Sequence, residues 1–268
     1  MPWQPKYIKR FIEFLQTSTG VARILTDAGE AYLKPLGNNA GPHALVREWI
    51  GTSVAALLGL RTFEFAIMHV VEGDDIPLGH WKKALPGPAF VTRMQEGYNW
   101  GGGERELRNA RDSSTFFRMV LLDTYILNPD RYLPEDGRVR LNKDNVFIVP
   151  FKNDDSVDVV AFDHSACLRP PAEISARIAN IETVRDENVY GCFPEFCAFM
   201  KSQHVVAGVA LLAAIDESVV SRIVDGVPRD WLQSMAVRDA LKDFLVRRAQ
   251  FLADRSMWCE RLGLMDLD

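Results

Sequence analysis

The pattern of apolar and polar residues changes along the chain, and this change predicts a strand-rich first part and a helical last part. Residues 20–25 and 30–34 predict a hairpin around Asp27-Ala28-Gly29, and residues 61–72 and 88–94 predict further strands. In the last part, apolar residues recur at the three- and four-residue spacing of helices. The helices predicted there cover residues 172–184, 194–200, 203–215, 217–224, 229–254 and 256–262.

Helices are also predicted before that point. Residues 5–16 carry apolar side chains at helical spacing. Residues 42–58 predict a second helix, because Pro42 suits a first helical turn and Gly59 suits a helix end. A third helix is predicted over residues 112–127, with Asp-Ser-Ser as its cap.

This order of elements predicts an α+β, two-lobed fold. The strands fall mainly in an N-lobe over residues 1–97, and the helices fall mainly in a C-lobe over residues 98–268. The boundary is expected near Gln95–Gly103, where a triple glycine marks a flexible loop.

Composition narrows the class of protein. The chain has 268 residues, 47% apolar and 25% charged, as in ordinary globular proteins. A net charge of −5 gives no electrostatic reason to expect nucleic acid or an anionic membrane as a partner. No apolar run approaches the ~20 residues that span a bilayer, the charged N-terminal stretch is unlike a secretory signal, and the four cysteines lack zinc-site spacing. These features predict a cytoplasmic protein.

Three polar residues, Asp130, Asn145 and Asp163, stand at positions that suggest phosphoryl-transfer chemistry. Asp130 follows an apolar helix, Asn145 opens an apolar strand, and Asp163 follows the next apolar strand. Phosphoryl transfer needs one carboxylate to orient the attacking hydroxyl, and an amide and a second carboxylate to hold Mg²⁺. A carboxylate at the end of a buried strand also costs several kcal/mol unless it is paired or binds a metal.

A lysine and a glutamate upstream fit the same chemistry. On the predicted strand 30–34, Lys34 shares one face with Glu30 and Tyr32. Glu48 lies beside the buried side of the following helix. Kinases use a strand lysine, held by a helix glutamate, to bind nucleotide phosphates. An ordinary surface lysine and a solvated glutamate are the alternative.

Other motifs in the chain give weaker signals. The chain has no match to G-x-x-x-x-G-K-[ST] or G-x-G-x-x-G, so a P-loop or Rossmann site has no support. The turn at Ser18-Thr19-Gly20 is either a phosphate-covering turn or a plain hairpin tip. His164 is read as a structural histidine more readily than as a general base.

Taken together, these residues resemble the HipA-like kinases, in particular the small stand-alone HipA-like kinase-domain proteins. The resemblance runs from about Gly20 to Leu168 and rests on the motifs GEAYLK (29–34), ALVRE (44–48), NPDR (128–131) and FDH (162–164), with Asn145 between the last two. It implies a two-lobed protein-kinase-like fold, ATP and Mg²⁺.

By the same resemblance, Asp130 would be the catalytic base, Asn145 and Asp163 the metal ligands, and Lys34 the phosphate-binding lysine. For a Ser/Thr protein kinase, ATP is expected between the lobes, with Val91–Gln95, including Val91 and Arg93, as the hinge that contacts adenine. Independently of the resemblance, Gly20 is the candidate for the turn that covers the phosphates, with a plain hairpin tip as the alternative.

The chain departs from the family pattern in one place. The family asparagine usually follows the aspartate by about five residues, whereas Asn145 lies fifteen residues after Asp130. Asn142 is therefore a competing ligand, although Asn145 is preferred because it directly precedes a strand. The inserted residues 133–141 contain Asp-Gly, which predicts a hairpin flap near the site of acceptor approach.

Three functions are compatible with the sequence. The first is a Ser/Thr protein kinase. The second is a small-molecule phosphotransferase of the aminoglycoside-kinase kind, with Asp186, Glu187 and Glu195 as candidates for an acidic pocket. The third is a pseudokinase or partner-binding module, which loss of a site residue would favour. Transfer of AMP instead of phosphate would use the same metal ligands.

Overall fold

The computed structural model describes residues 3–17, 19–79, 82–135, 138–168 and 173–263. The chain divides into two compact units. The first contains Met1–Ile50, Phe63–Glu96 and Val227–Gln233, and the second contains Gly51–Thr62, Gly97–Gly226 and Ser234–Asp268. The lobe ranges 1–97 and 98–268 stay a prediction.

The first unit is built on an antiparallel sheet of five strands in the order β1-β2-β3-β5-β4. The strands are β1 (Ile8–Leu15), β2 (Val21–Thr26), β3 (Gly29–Lys34), β4 (Phe65–Val70) and β5 (Gly87–Arg93). One face of the sheet buries small and branched apolar side chains beneath Trp3. Helix α1 (Pro42–Leu57) begins in this unit.

The prediction of a helix over residues 5–16 is wrong, because most of that segment is strand β1. Its apolar residues Ile8, Phe11, Ile12 and Leu15 are spaced as on a helix, but the strand pairs with β2. The pairing shifts register between Ile8 and Arg10 and again after Phe11. Such bulges insert an extra residue and move the apolar side chains off strict alternation, which explains the helical spacing.

The second unit contains most of the helices and two small sheets. One sheet has the strand order β10-β9-β6, and β7 and β8 form a separate hairpin. The strands are β6 (Tyr98–Asn99), β7 (Tyr132–Glu135), β8 (Arg138–Leu141), β9 (Val146–Pro150) and β10 (Val157–Ala161). The helices are α2 (Glu104–Arg108), α3 (Ser114–Tyr125), α4 (Ile181–Val184), α5 (Pro194–Cys197), α6 (Ser202–Ala213), α7 (Glu217–Asp225), α8 (Met235–Leu252) and α9 (Arg255–Leu262).

Several predicted helices are shorter than the sequence pattern suggests, and the one predicted over 194–200 is the four-residue helix α5. The segment predicted as a helix over 172–184 holds a 3₁₀ turn at Ala176–Ala179 and the single turn α4, and residue 172 lies outside the described residues. Helix α8 begins at Met235 rather than at residue 229. The preceding residues belong to the first unit, where the Trp231 indole N–H donates to the Pro88 carbonyl oxygen at 2.9 Å.

A buried arginine joins three helices of the second unit. The Arg248 guanidinium on α8 donates to the carbonyl oxygens of Thr124 and Tyr125 at the end of α3. It also donates to those of Thr183 and Val184 at the end of α4. A cation at a helix C-terminus satisfies open carbonyl groups and opposes the negative end of the helix dipole. One side chain thus fixes the ends of two helices on a third.

No single helix in the described ranges is long and apolar enough to cross a membrane. The bent pair of α6 and α7, which meet at 75°, passes such a test by length and composition.

Gly51 in α1 allows a close approach that a larger residue would prevent. A Cβ atom placed at Gly51 would lie 2.3 Å from the Cβ atom of His164, which is completely buried. We expect Gly51→Ala to destabilise the protein by about 1–3 kcal/mol through overpacking, although alanine ordinarily stabilises a helix relative to glycine.

Chemical denaturation of the variant measures this effect. Gly101→Ala is the matched control, because a Cβ atom there meets no atom within 4 Å. Equal stability of the Gly51 and Gly101 variants would show that α1 and His164 can move apart at little cost.

Candidate active site

An unusual helix ending positions the segment that carries Asp130. After α3, Leu127 takes a left-handed backbone conformation with φ +52°. This conformation ends helices but costs roughly 1–2 kcal/mol in a residue other than glycine. The Asn128 N–H then donates to the Asp123 carbonyl oxygen at 2.8 Å, and the Leu168 N–H donates to the Ile126 carbonyl oxygen at 2.7 Å. Bonds on both sides of the turn therefore fix the start of the Asn-Pro-Asp-Arg segment.

The Asp130 carboxylate is held by both asparagines that the sequence left in competition. The side-chain amide nitrogens of Asn142 and Asn145 donate to the same Asp130 oxygen, Oδ2, at 3.1 and 2.9 Å. Because the Asn145 amide nitrogen donates to Asp130, the Oδ1 atom of Asn145 faces away from Asp130. An amide oriented in this way can offer its oxygen to a cation while its nitrogen positions the neighbouring carboxylate.

The inserted segment is a hairpin whose two ends meet. Tyr132 in β7 pairs with Leu141 in β8, and the Asn142 N–H donates to the Arg131 carbonyl oxygen at 2.9 Å. The predicted Asp-Gly turn at 136–137 lies outside the described residues. Since the hairpin closes at its base, the fifteen-residue interval still brings Asn145 to Asp130.

Asp163 lies at the end of the β9–β10 hairpin where Asn145 also lies. Val146 at the start of β9 pairs with Ala161 at the end of β10. Asp163 has φ +55°, a left-handed conformation that aspartate tolerates better than most residues. Its Oδ1 atom accepts a hydrogen bond from the Ser165 hydroxyl at 2.8 Å. The backbone thus turns sharply at Asp163, as strained residues at functional sites often do.

A buried ion pair holds these segments together. Arg131 and Asp123 are fully buried and form a short ion pair through Nη1 and Oδ1. The same guanidinium donates to the carbonyl oxygen of Asn145 at 3.1 Å and to that of Phe162 at 3.0 Å. Arg131 therefore binds the residue that carries one candidate ligand and the residue immediately before the other. Arg131 belongs to the NPDR motif, but its role does not follow from the motif alone. The signal for this role is Asp123, an acidic residue inside the apolar helix α3.

Burial raises the pKa of Asp123 above its ordinary value, while the Arg131 guanidinium and the Asn128 amide act in the opposite direction. The Asn128 amide nitrogen donates to Asp123 Oδ1 at 2.9 Å. The ion pair is thus needed to keep a wholly buried carboxylate charged.

In the first unit, Lys34 and Glu48 form the ion pair that the strand and helix patterns suggest. The Lys34 ammonium donates to Glu48 Oε1 in a short contact. The Glu48 side chain is 2% exposed and that of Lys34 is 15% exposed. A glutamate this deeply buried fixes the lysine firmly. The role of the lysine as a phosphate ligand stays a prediction.

Two other residues predicted to contact the nucleotide, Gly20 and Val91, also lie in the first unit, one in a turn and the other inside the sheet. Gly20 has φ +72° in the turn between β1 and β2, and its N–H donates to the Thr17 hydroxyl at 3.1 Å. Val91 is fully buried in β5 and pairs with Leu33 on one side and Ala66 on the other. Its backbone is therefore flanked by strands, which argues against an adenine contact by Val91.

Arg93, at the end of β5, forms an exposed ion pair with Glu64 at 2.6 Å. The predicted hinge at Val91–Gln95 therefore stays a prediction for its last residues, which lie at and beyond the end of β5.

The acidic residues proposed for a small-molecule pocket are engaged elsewhere in the second unit. Glu195 pairs with Lys143 at 2.7 Å, and Glu187 pairs with Arg261 at 2.9 Å. Asp186 Oδ1 accepts from the Asn188 backbone and side-chain nitrogens. Burial is the largest single influence on the pKa of Glu195 and raises it, but the hydrogen bond from Lys143, a backbone hydrogen bond and the charge of Lys143 together outweigh burial, so the pKa is lowered. These carboxylates thus have partners of their own.

His164 follows Asp163 and is completely buried against Gly51. This position supports the structural reading of His164, since a general base must reach its substrate.

Comparisons with solved structures show the fold. The structure is similar to the crystal structure of the Helicobacter pylori proinflammatory kinase CtkA, with a TM-score of 0.60 at 12% identity, over 98% of this chain and 100% of that chain. It is also similar to the Golgi casein kinase, with a TM-score of 0.50 at 10% identity, over 96% of this chain and 73% of that one. No curated protein matches the sequence. The α+β protein-kinase-like fold predicted from the sequence is confirmed.

The family follows from the sequence itself. The family model described as HipA-like kinase matches residues 25–256, which is most of the chain. The chain belongs to the HipA-like kinase family, as the motifs indicated.

We expect Arg131→Met to lower the free energy of unfolding by about 3–5 kcal/mol, because it leaves the buried Asp123 carboxylate without its cation. Chemical denaturation measures the loss. The double variant Arg131→Met/Asp123→Leu should recover much of it, since no charge then remains buried. A loss below about 1 kcal/mol in the single variant would mean that the pair is replaceable by its surroundings.

Proposed function

We propose that this protein is an ATP- and Mg²⁺-dependent phosphotransferase that transfers a phosphoryl group to a protein serine or threonine hydroxyl. The proposal rests on one observation above all: Asp130 is fixed by the Asn145 amide, and Arg131 binds the main chain of Asn145 and of the residue before Asp163. Membership in a kinase family supports it.

The residues present fit a magnesium ion. Asn145 would offer an amide oxygen and Asp163 a carboxylate, and Mg²⁺ prefers oxygen ligands. The Asn145 amide nitrogen is already committed to Asp130, so its oxygen is the atom left for a cation. When bound, Mg²⁺ neutralises charge on the phosphates.

Asp130 is proposed to orient the acceptor hydroxyl and to receive its proton. Two amide N–H groups fix one carboxylate oxygen, which sets the direction of the carboxylate before any acceptor arrives. A general base must lie within hydrogen-bond reach of the proton that it takes, so this preorganisation is itself a contribution to catalysis.

Lys34 is proposed to bind the nucleotide phosphates, with Glu48 fixing its ammonium. A fixed positive charge stabilises developing phosphate charge better than a mobile one, because no reorganisation is needed during the reaction.

A protein acceptor is favoured over a small molecule for two reasons. The acidic residues considered for a small-molecule pocket are engaged with other groups. One solved structure with a similar fold is named as a casein kinase.

We expect Asp163→Asn to abolish transfer while leaving stability nearly unchanged. Asparagine tolerates φ +55°, where alanine would add backbone strain, and its side-chain oxygen can still accept the hydrogen bond from the Ser165 hydroxyl, so the change mainly removes the charge of the proposed metal ligand. Incubation with Mg-ATP and dephosphorylated casein, followed by mass spectrometry of both proteins, measures transfer and distinguishes added phosphate from added AMP.

The matched control is Asp155→Asn, which removes an exposed charge near the turn between β9 and β10. Full activity of the Asp163 variant would remove that residue from the site. A wild-type protein that binds Mg-ATP in a thermal-shift titration but modifies neither itself nor casein would favour the pseudokinase alternative.

We expect replacement of residues 133–141 by a Gly-Ser linker to leave Mg-ATP binding nearly unchanged and to reduce transfer to an acceptor. The hairpin emerges between Arg131 and Asn142, directly beside Asp130, and loops on a rigid scaffold often determine specificity. Thermal shift measures nucleotide binding, and mass spectrometry measures transfer. Loss of nucleotide binding would instead show that the hairpin positions Asn145.

A further inference from the structure

The first unit contains a cavity that the proposed reaction does not use. Its volume is about 450 Å³, within the range of ligand-binding pockets. Aromatic and aliphatic side chains form its walls and a lysine lies among its lining residues: Trp3, Trp49, Phe65, Ala66, Ile67 and Lys6.

This cavity runs along the outer edge of β4. Three consecutive residues of the strand, 65–67, line it, although their side chains alternate between the two faces of the sheet. β4 is the last strand in the sheet order, so its outer edge pairs with no described strand. A cavity lined from both faces must therefore open at that edge.

The backbone of β4 offers hydrogen-bonding groups there. The Arg93 N–H donates to the Glu64 carbonyl oxygen at 2.8 Å, which places Glu64 in a hydrogen-bonded pair with β5. Because such pairs alternate along antiparallel strands, Phe65 and Ile67 direct their N–H and C=O groups away from β5. An extended segment can bind to such groups as a further strand.

The aromatic walls provide places for the side chains of such a segment. Trp49 and Phe65 meet edge to face with their ring centroids 5.5 Å apart on one side. Trp3 covers the other face of the sheet and is 9% exposed. Successive side chains of an added strand would point alternately to these two sides, and a bulky apolar one would pack against the rings.

The charge at the cavity indicates an acidic partner. Lys6 is exposed and lines the cavity. Asp27 accepts a hydrogen bond from the backbone N–H of Lys6. The pKa of the Asp27 carboxyl is lowered mainly by this hydrogen bond and to a smaller extent by the Lys6 charge. A carboxylate on the bound segment would complement this lysine.

We propose that the β4 edge is a docking site for an extended segment of a partner protein that carries a bulky apolar residue close to an acidic one. The segment adds to β4 through main-chain hydrogen bonds, inserts the apolar side chain beside Trp49 and Phe65, and pairs its carboxylate with Lys6. Trp49 directly follows Glu48 in α1, so an occupant contacts the helix that holds the partner of Lys34.

Selection from a library of short random peptides displayed on phage, followed by fluorescence polarisation with the purified peptides, tests the proposal. Enriched peptides should share a bulky apolar residue near Asp or Glu. Replacing that apolar residue by Ser, or methylating alternate backbone nitrogens of the peptide, should each weaken binding by about tenfold or more, which is about 1.4 kcal/mol.

Lys6→Glu should weaken binding by a similar factor. Lys9→Glu is the matched control, because Lys9 is exposed in β1 at the opposite edge of the sheet and does not line the cavity. Failure to enrich any peptide, or binding that is indifferent to Lys6→Glu or to backbone methylation, would overturn the proposal. A dimer of this chain that dissociates on Lys6→Glu would also overturn it and assign the edge to a second copy.

Discussion

The buried ion pair between Arg131 and Asp123 is the contact on which the candidate active site depends. Two fully buried charges are costly unless each finds partners. Arg131 also donates to the carbonyl oxygens of Asn145 and Phe162, so one side chain joins α3, the start of β9 and the end of β10. The precision of the site therefore comes from a residue that is not proposed to touch any substrate.

A similar arrangement recurs with Arg248, which holds the ends of α3 and α4 through main-chain oxygens. The last turn of α3 is thus anchored to α8, while the turn after it leads into Asp130. In the first unit, the buried carboxylate of Glu48 fixes Lys34 in the same manner. Buried charges of this kind are sensitive to mutation because removal of one partner leaves the other without compensation.

Much of the fold and of the site could be predicted from local sequence patterns. The hairpin of β2 and β3, helix α1 and the positions of Asp130, Asn145 and Asp163 relative to strands and helices all follow from local patterns and short motifs. Strand β1 could not be predicted because its bulges give apolar residues a helical spacing, and those bulges exist only through pairing with β2. The role of Arg131 was missed for a related reason, since its partners lie at positions 123, 145 and 162 and only the folded chain brings them together.

The closed base of the β7–β8 hairpin has a consequence for how such proteins vary. The Asn142 N–H donates to the Arg131 carbonyl oxygen and so closes the base of the hairpin. The length of the hairpin therefore hardly changes the distance between Asp130 and Asn145. Loop-closure entropy also grows slowly with length, by about 0.6 kcal/mol for each doubling. Evolution can therefore lengthen, shorten or replace this hairpin with little effect on the positions of Asp130 and Asn145. Sequence searches that require a fixed interval between the aspartate and the asparagine will overlook relatives in which this hairpin is longer.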